Sequence, residues 1–323
     1  MPGRWADLAA QSIVHALVAA LAVEALLRIW RVARPEERLA FRLVALAQPL
    51  VVSPVLWLLP ARAGDDFHDS WALFAGRHWD ELRIFSVGLF PIFVVAMAAM
   101  GLALFLMDLV PLLRGNRRDG APGGEPPPEL AGDVAALARA VGLAAPPLRL
   151  LATEAPALFC AGVRHPGIVV SRGALALLDP EERRAALAHE LVHLKARDPL
   201  VSWVLMAVRG LAFFNPVAQV LARTLAREAE RRSDDRGAEA SGDRLALASA
   251  LLKLYRATGG RPLRSRLPFG AALREPLRRA RSRDVEVRCR RLLEGAAPGR
   301  GPLPALRLAL VALSLPALLF FVA

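Results

Sequence analysis

A chain of 323 residues is long enough for one sizeable domain plus membrane segments, or for two soluble domains. Hydrophobic residues make up 55% of it and its mean hydropathy is +0.37, more apolar than an ordinary soluble domain. The formal charge of +12 is nearly all arginine, since Lys195 and Lys253 are the only lysines, and many arginines flank long apolar runs. That placement suits membrane orientation better than nucleic-acid binding, for which no helix-turn-helix, zinc-finger or RNA-recognition pattern is present. The two cysteines, Cys160 and Cys289, lie far apart and exclude both a disulfide framework and a cysteine-based metal site. They read as free and reduced, which fits a domain facing the cytoplasm.

In chain order, the first apolar stretch runs over 8–27, too long for a signal-peptide core and without a small-residue cleavage site. His15 and Glu24 interrupt it, so it should face other helices. Further stretches occupy 43–60, 84–113 and 303–322. Each reaches or approaches the roughly 20 residues that cross a bilayer core. Residues 1–113 thus read as an N-terminal membrane region with three spans, and 303–322 as a C-terminal one. Arg28, Arg31, Arg34 and Arg38 lie between the first two spans, and Arg114, Arg117 and Arg118 follow the third. Positive-inside logic makes this a multi-pass protein of a cell (inner) membrane, with its central region on the cytoplasmic side. Residues 114–130 read as a Pro/Gly/Arg linker. A second loop-like stretch, rich in Gly, Pro and Arg, runs from Thr258 to Arg283.

Beyond the linker, the pattern from Asp133 to Val141 suits a short helix. The apolar runs at 148–153, 157–163 and 167–171 have strand length and are punctuated by Pro and Gly. The stretch from Asp179 to Asp198 then predicts a helix from Pro180 to about Arg197. Asp179 is a good N-cap, Pro180 suits the first helical position, and Glu182 sits where a capping box needs it.

That helix carries His189-Glu190-Leu191-Val192-His193, an H-E-x-x-H motif. Four residues are just over one helical turn, so both imidazoles project from one face and can share an ion. Glu190 sits about 100° around the helix, beside the metal and not on it. There it can take a proton from zinc-bound water and pass it to a leaving amine. The competing reading is an amphipathic helix with two surface histidines; the rarity of histidine (six in all) and the capped, apolar lead-in weigh against it.

A catalytic zinc site needs a third protein ligand and one open position. The extended H-E-x-x-H-x-x-G-x-x-H form is ruled out by Ala196 and Pro199. An acidic residue on a later helix is the obvious source, and Glu228, Glu230, Asp234 and Asp235 are available. Glu230 and Asp234 are one turn apart, which suits a ligand plus a carboxylate that hydrogen-bonds a ligand imidazole. For Glu228, Asp235 and the neighbouring arginines, a charged helix face is the stronger reading.

The set HELVHLKARDPL, then Phe214-Asn215-Pro216, then EAERRSDD (228–235) resembles the gluzincin membrane peptidases. Both the HtpX and CAAX-prenyl-protease type and the peptidase domain of the beta-lactam sensor-transducers fit. Both have H-E-x-x-H followed by E-x-x-x-D, which here is Glu230 to Asp234. The segment ALFCAGVRHPGIVVSRGALALLDPEE resembles their strand region, RLALASALLKL the helix after the third ligand, and VRCRRLL (287–293) their closing Arg-rich helix. The likeness covers roughly 130–294. The resemblance implies one zinc ion per chain held by His189, His193 and Glu230, with Asp234 behind a ligand and Glu190 as general base. It also implies a protein or peptide substrate. The sensor-transducers carry an external ligand-binding domain after the last span, which is not found here before Ala323, so beta-lactam sensing is unsupported. Such enzymes also use a side chain to stabilise the oxyanion; Tyr255, the sole tyrosine, is a candidate, with ordinary helix packing as its plainer role.

Pro199–Ala222 is apolar enough for a membrane span, but a shared ion forbids a single crossing, because His193 and Glu230 must both lie within about 2 Å of it. The segment at about 199–222 should therefore be a hairpin broken near Asn215-Pro216, lying at or dipping into the bilayer surface. Arg209 at its middle agrees. The run Ala157–Val170 is a candidate edge strand for peptide binding, or a structural strand without that role. The expected fold is α+β: a zincin-like domain at 131–295, mostly helical with a small sheet, attached to a helical transmembrane bundle.

Overall fold

The computed structural model describes residues 2–58, 83–84, 87–115, 124–162, 165–258, 271–295 and 304–322. Residues 59–82, the centre of the linker, the end of the 157–163 run and residues 259–270 lie outside them. The described chain is mostly helical with a small three-stranded sheet. It divides into two units, one of residues 1–107, 205–229 and 298–323, the other of residues 108–204 and 230–297.

The first unit holds α1 (Pro2–Ile29), α2 (Pro35–Leu58), most of α3 (Leu89–Gly115) and α11 (Pro304–Val322). A two-residue β1–β2 pair (Arg83–Ile84 with Val87–Gly88) precedes α3. Two helical stretches among the described residues are long and apolar enough to cross a membrane, Ala9–Ile29 and Ala305–Val322. Pro91–Met107 is a shorter apolar helix. The stretch expected as the second span forms the later part of α2, whose first turns carry Glu36, Glu37, Arg38 and Arg42. The core joins Val23 and Leu27 of α1, Phe41 and Ala45 of α2, and Leu315 and Leu319 of α11.

The segment expected to form a hairpin at 199–222 is made of α7 (Asp198–Leu211) and the start of α8 (Pro216–Ser241). The break sits at Asn215-Pro216: Pro216 opens α8, and the Asn215 side chain accepts a hydrogen bond from the Ala218 amide (3.1 Å). Gln219 closes the turn by donating to the carbonyls of Arg209 (2.9 Å) and Ala212 (3.0 Å), while accepting from Arg209 Nε (2.9 Å). The buried arginine is thus satisfied inside the hairpin. Helices α7 and α8 each pass from one unit into the other.

The second unit begins with α4 (Pro128–Val141), followed by β3 (Leu148–Leu151), β4 (Leu158–Ala161) and β5 (Gly167–Ser171). The sheet order is β3-β5-β4, with β3 parallel and β4 antiparallel to β5. All five residues of β5 are buried, as a central strand requires, and β4 is an edge. A short α5 (Arg172–Leu177) leads into α6 (Pro180–Lys195). The capping box forms as expected, with Asp179 accepting from the Glu182 amide and the Glu182 side chain returning to the Asp179 amide. Helix α6 is the core of this unit: Leu187, Leu191 and Leu194 pack on α4 and β5, and Ala185 on α8, α9 (Arg244–Ala257) and α10 (Ala271–Glu294). The loop reading of 258–283 is corrected from Ala271 onward, where α10 begins. Gly and Pro dominate only up to Gly270; from there Ala, Leu and Arg, good helix formers, prevail.

Candidate metal centre

Both motif histidines sit on the inner face of α6 and are nearly inaccessible, His189 at 5% and His193 at 8% exposure. This removes the reading of two surface histidines. Their Nε2 atoms lie 3.0 Å apart. Glu230 of α8 meets them, Oε2 at 3.7 Å from His189 Nε2 and Oε1 at 3.8 Å from His193 Nε2. Each of the three residues offers one donor atom, and these atoms lie within 4.8 Å of one another.

The other ring nitrogens face carboxylates. His193 Nδ1 is 2.7 Å from Asp198 Oδ2, and His189 Nδ1 is 3.2 Å from Asp234 Oδ1. A carboxylate at Nδ1 fixes the proton there and turns the Nε2 lone pair outward. Two such lone pairs facing each other across 3.0 Å repel unless a proton or a metal cation lies between them. A tetrahedral ion with bonds of about 2.0–2.1 Å would set two nitrogens roughly 3.4 Å apart, a small adjustment from the observed spacing. Two imidazoles and one carboxylate also form the donor set of a catalytic zinc site with an open fourth position. The residues present therefore fit a zinc ion.

Arginines complete the arrangement. Arg232 Nη2 donates to both oxygens of Asp198 (2.7 and 2.6 Å). Arg288 of α10 grips Asp234 with Nε and Nη2 (2.7 Å each) and reaches Glu230 Oε2 with Nη1 (2.9 Å). Burial opposes charge on His193, but the Asp198 hydrogen bond and the charges of Glu230 and Glu190 more than offset it, pushing the imidazole up to about 9. Burial would raise Glu230 and Asp234; Arg288, aided by the histidines, overrides it and holds both carboxyls below their usual range. Asp198 is likewise lowered against burial, by His193 and Arg232. Glu230 keeps 42% of its side chain exposed while Asp234 is 1% exposed, so the cluster is open on the Glu230 side and closed behind it.

Glu190 accepts a hydrogen bond from the Cys160 backbone amide through Oε2 (2.8 Å). Cys160 is central in β4, and the antiparallel register turns its N–H away from β5, toward the edge. Edge strand and motif helix thus meet at this carboxylate. Of the expected site residues, His189, His193, Glu230 and Asp234 converge, with Glu190 alongside. Among the described residues no contact joins Tyr255 to the cluster.

Four contributors escaped the sequence reading. Asp198 stands five residues past His193, and the visible signal was an Asp-Pro pair opening a helix. It is brought back by a tight corner in which Arg197 adopts φ 55°, a left-handed conformation costly for a non-glycine residue. Arg232 and Arg288 were lost among 42 basic residues. Gly237 marks the close approach of α8 to α6, where a Cβ would stand 2.8 Å from His189 Cα and 2.9 Å from its nitrogen. A glycine inside a helix, locally unfavourable, was the signal.

Two imidazoles and a glutamate drawn from two helices, beside a sheet edge, make up the kind of centre found in zinc metallopeptidases. The sequence comparisons point the same way. Residues 152–268 match the family model described as BlaR1 peptidase M56. Proteins named Protease HtpX homolog are also similar to this chain. The one from Thermococcus kodakarensis is 30% identical over 180 residues, covering 45% of this chain and 62% of the relative. That from Methylibium petroleiphilum is 35% identical over 169 residues (42% and 59%), and that from Burkholderia multivorans 32% over 172 (43% and 58%). The chain spans about 60% of the length of these relatives. Over the matched residues it is similar, at moderate identity, to metallopeptidases of the HtpX and BlaR1 type. No solved structure matches it.

Proposed function

We propose that this chain is a membrane-associated, zinc-dependent endopeptidase that hydrolyses peptide bonds in membrane-associated or regulatory proteins. The observation that carries the proposal is the meeting of His189 Nε2, His193 Nε2 and a Glu230 oxygen around one point, with carboxylates at both Nδ1 atoms. The M56 match over 152–268 and the apolar helices Ala9–Ile29 and Ala305–Val322 support the class and the setting. Zinc, when bound, supplies an acidified water and polarises the scissile carbonyl.

The protein's own groups do the rest. His189, His193 and Glu230 hold the ion. Asp234 and Asp198 keep the imidazoles in the tautomer that presents Nε2. Glu190 is the general base: with Oε2 steadied by the Cys160 amide, its other oxygen takes the water proton and returns it to the leaving amine. A substrate strand adds alongside the edge strand β4, next to the base, pairing with the outward backbone groups of β4 other than the Cys160 N–H that Glu190 holds. The bilayer is the expected partner, with the catalytic region on the cytoplasmic side, and no nucleic acid takes part.

Exchanging Glu190 for Ala tests this. The variant should keep one zinc per chain and lose cleavage by at least about 100-fold, since general acid–base groups contribute ~10²–10⁴. Membrane-fraction peptides compared with and without the exchange would then show products that vanish. Unchanged peptides from an active preparation would sink the proposal. The BlaR1 description of the matching model supports a narrower second reading, a signalling protease that cleaves one repressor. A single lost product would favour it; a broad set would favour the general peptidase.

A further inference from the structure

We propose that Arg288 is a positioning residue for the metal centre, a guanidinium clamp that fixes the third ligand and the carboxylate behind His189 as one unit. The inference rests on the zinc reading above. Glu230 and Asp234 are one turn apart on α8, and two like charges at that spacing repel. Left alone, they would splay, and Glu230 would have many rotamers that miss the histidines. The planar Arg288 head holds them instead. Its Nε and Nη2 lie on the two oxygens of Asp234 at 2.7 Å each, and its Nη1 lies on Glu230 Oε2 at 2.9 Å. Five N–H donors in one rigid plane make this possible, which a lysine ammonium could not reproduce.

The clamp is itself anchored. Leu292, one turn further along α10, is fully buried against Ala185, Ala238 and Leu247, with Cys289 packed beside it. That apolar seat sets the height and rotation of α10, and the 288/292 spacing points Arg288 at the site. Its side chain is 17% exposed, so the contacts are shielded from solvent. Arg291, on the same helix, makes a comparable pair with Asp235 (Nη2 to Oδ2, 2.6 Å) that does not touch Glu230. It serves as an internal control for the docking of α10.

Zinc affinity of the full chain in detergent, measured by chelator competition, tests the proposal. Arg288→Gln should weaken binding by about 10–100-fold, the usual cost of losing a group that orients metal ligands. Arg288→Lys should recover only part of this, and Arg291→Gln should stay within about twofold of the parent. Combined with Glu230→Gln, Arg288→Gln should cost clearly less than it does alone, because the clamp acts largely through that ligand. Parent-like affinity in Arg288→Gln, equal losses in Arg288→Gln and Arg291→Gln, or full additivity with Glu230→Gln would overturn the clamp. A parent chain that binds no zinc, or zinc retained unchanged in His193→Ala, would instead overturn the zinc reading on which the clamp rests.

Discussion

Helix α8 carries two glutamates two residues apart that meet opposite fates. Glu228 belongs to the first unit and is 0% exposed. It accepts from Arg42 Nη1 and, at 3.2 Å, from Arg38 Nε, and Arg42 also holds Glu24 at 2.5 Å. Arg38 and Arg42 meet it with guanidiniums, which are always protonated and cannot bind a metal. Glu230 belongs to the second unit and keeps 42% of its side chain open. It shares its surroundings with two imidazoles whose other nitrogens each face a carboxylate. Both clusters bury carboxylates beside arginine; only the second leaves donor atoms that converge on one point. Buried charge alone is therefore a poor marker of function, and the imidazole pair is what separates a candidate site from a structural lock.

Exchanging each glutamate for Gln should break the pairing most sharply. Glu230→Gln should lower zinc affinity by more than about 100-fold, since losing a ligand should exceed the loss of a ligand's support. Its effect on folding should be small, because it also relieves repulsion from Asp234. Glu228→Gln should do the reverse. It strips the counter-charge from Arg38 and buried Arg42, which costs about 3–5 kcal/mol of stability, while zinc affinity stays within about twofold. Thermal unfolding in detergent and zinc content on the same samples would check both. Loss of zinc in Glu228→Gln at a temperature where it remains folded would erase the distinction.

Two glycines sharpen the same comparison at smaller amplitude. A Cβ at Gly101 would stand 2.5 Å from the Phe213 carbonyl oxygen in the first unit, and one at Gly237 would crowd His189 in the second. In both cases the obstacle is backbone, which yields only if a helix shifts. Gly101→Ala and Gly237→Ala should each cost about 1–3 kcal/mol as overpacking. Only Gly237→Ala should also loosen zinc, because the shift moves α8, and with it Glu230, away from the α6 histidines.

The difference between the units also explains what was legible in the chain. The motif helix and its capping box were readable because every participant lies within four residues of its partner. The three strand runs and the break at Asn215-Pro216 were readable for the same local reason. The choice of Glu230 followed from the one-turn spacing to Asp234 and from the family resemblance. Asp198, Arg232, Arg288 and Gly237 were not readable, because their roles exist only once the helices converge. Nothing in the sequence distinguishes Arg288 from Arg290 or Arg291 until Leu292 finds its pocket. The start of α10 was missed because Gly and Pro up to residue 270 biased the reading of the helix formers that follow.

A third charged cluster tests whether the contrast follows chemistry or location. Glu182 is buried in the second unit, yet its partners are of the first unit's kind: Lys253 Nζ at 2.6 Å, Ser249 Oγ at 2.5 Å and the Asp179 amide at 3.0 Å, with no imidazole. If imidazoles make the difference, weakening this cluster should touch stability alone. Lys253→Met leaves Glu182 with its hydroxyl and amide donors, and the lysine side chain is already 41% exposed, so solvent screens much of what is lost. The expected effect is a small drop in unfolding temperature, with zinc affinity unchanged. A zinc defect in this variant would mean that proximity to α6, and not the ligand chemistry, governs the site.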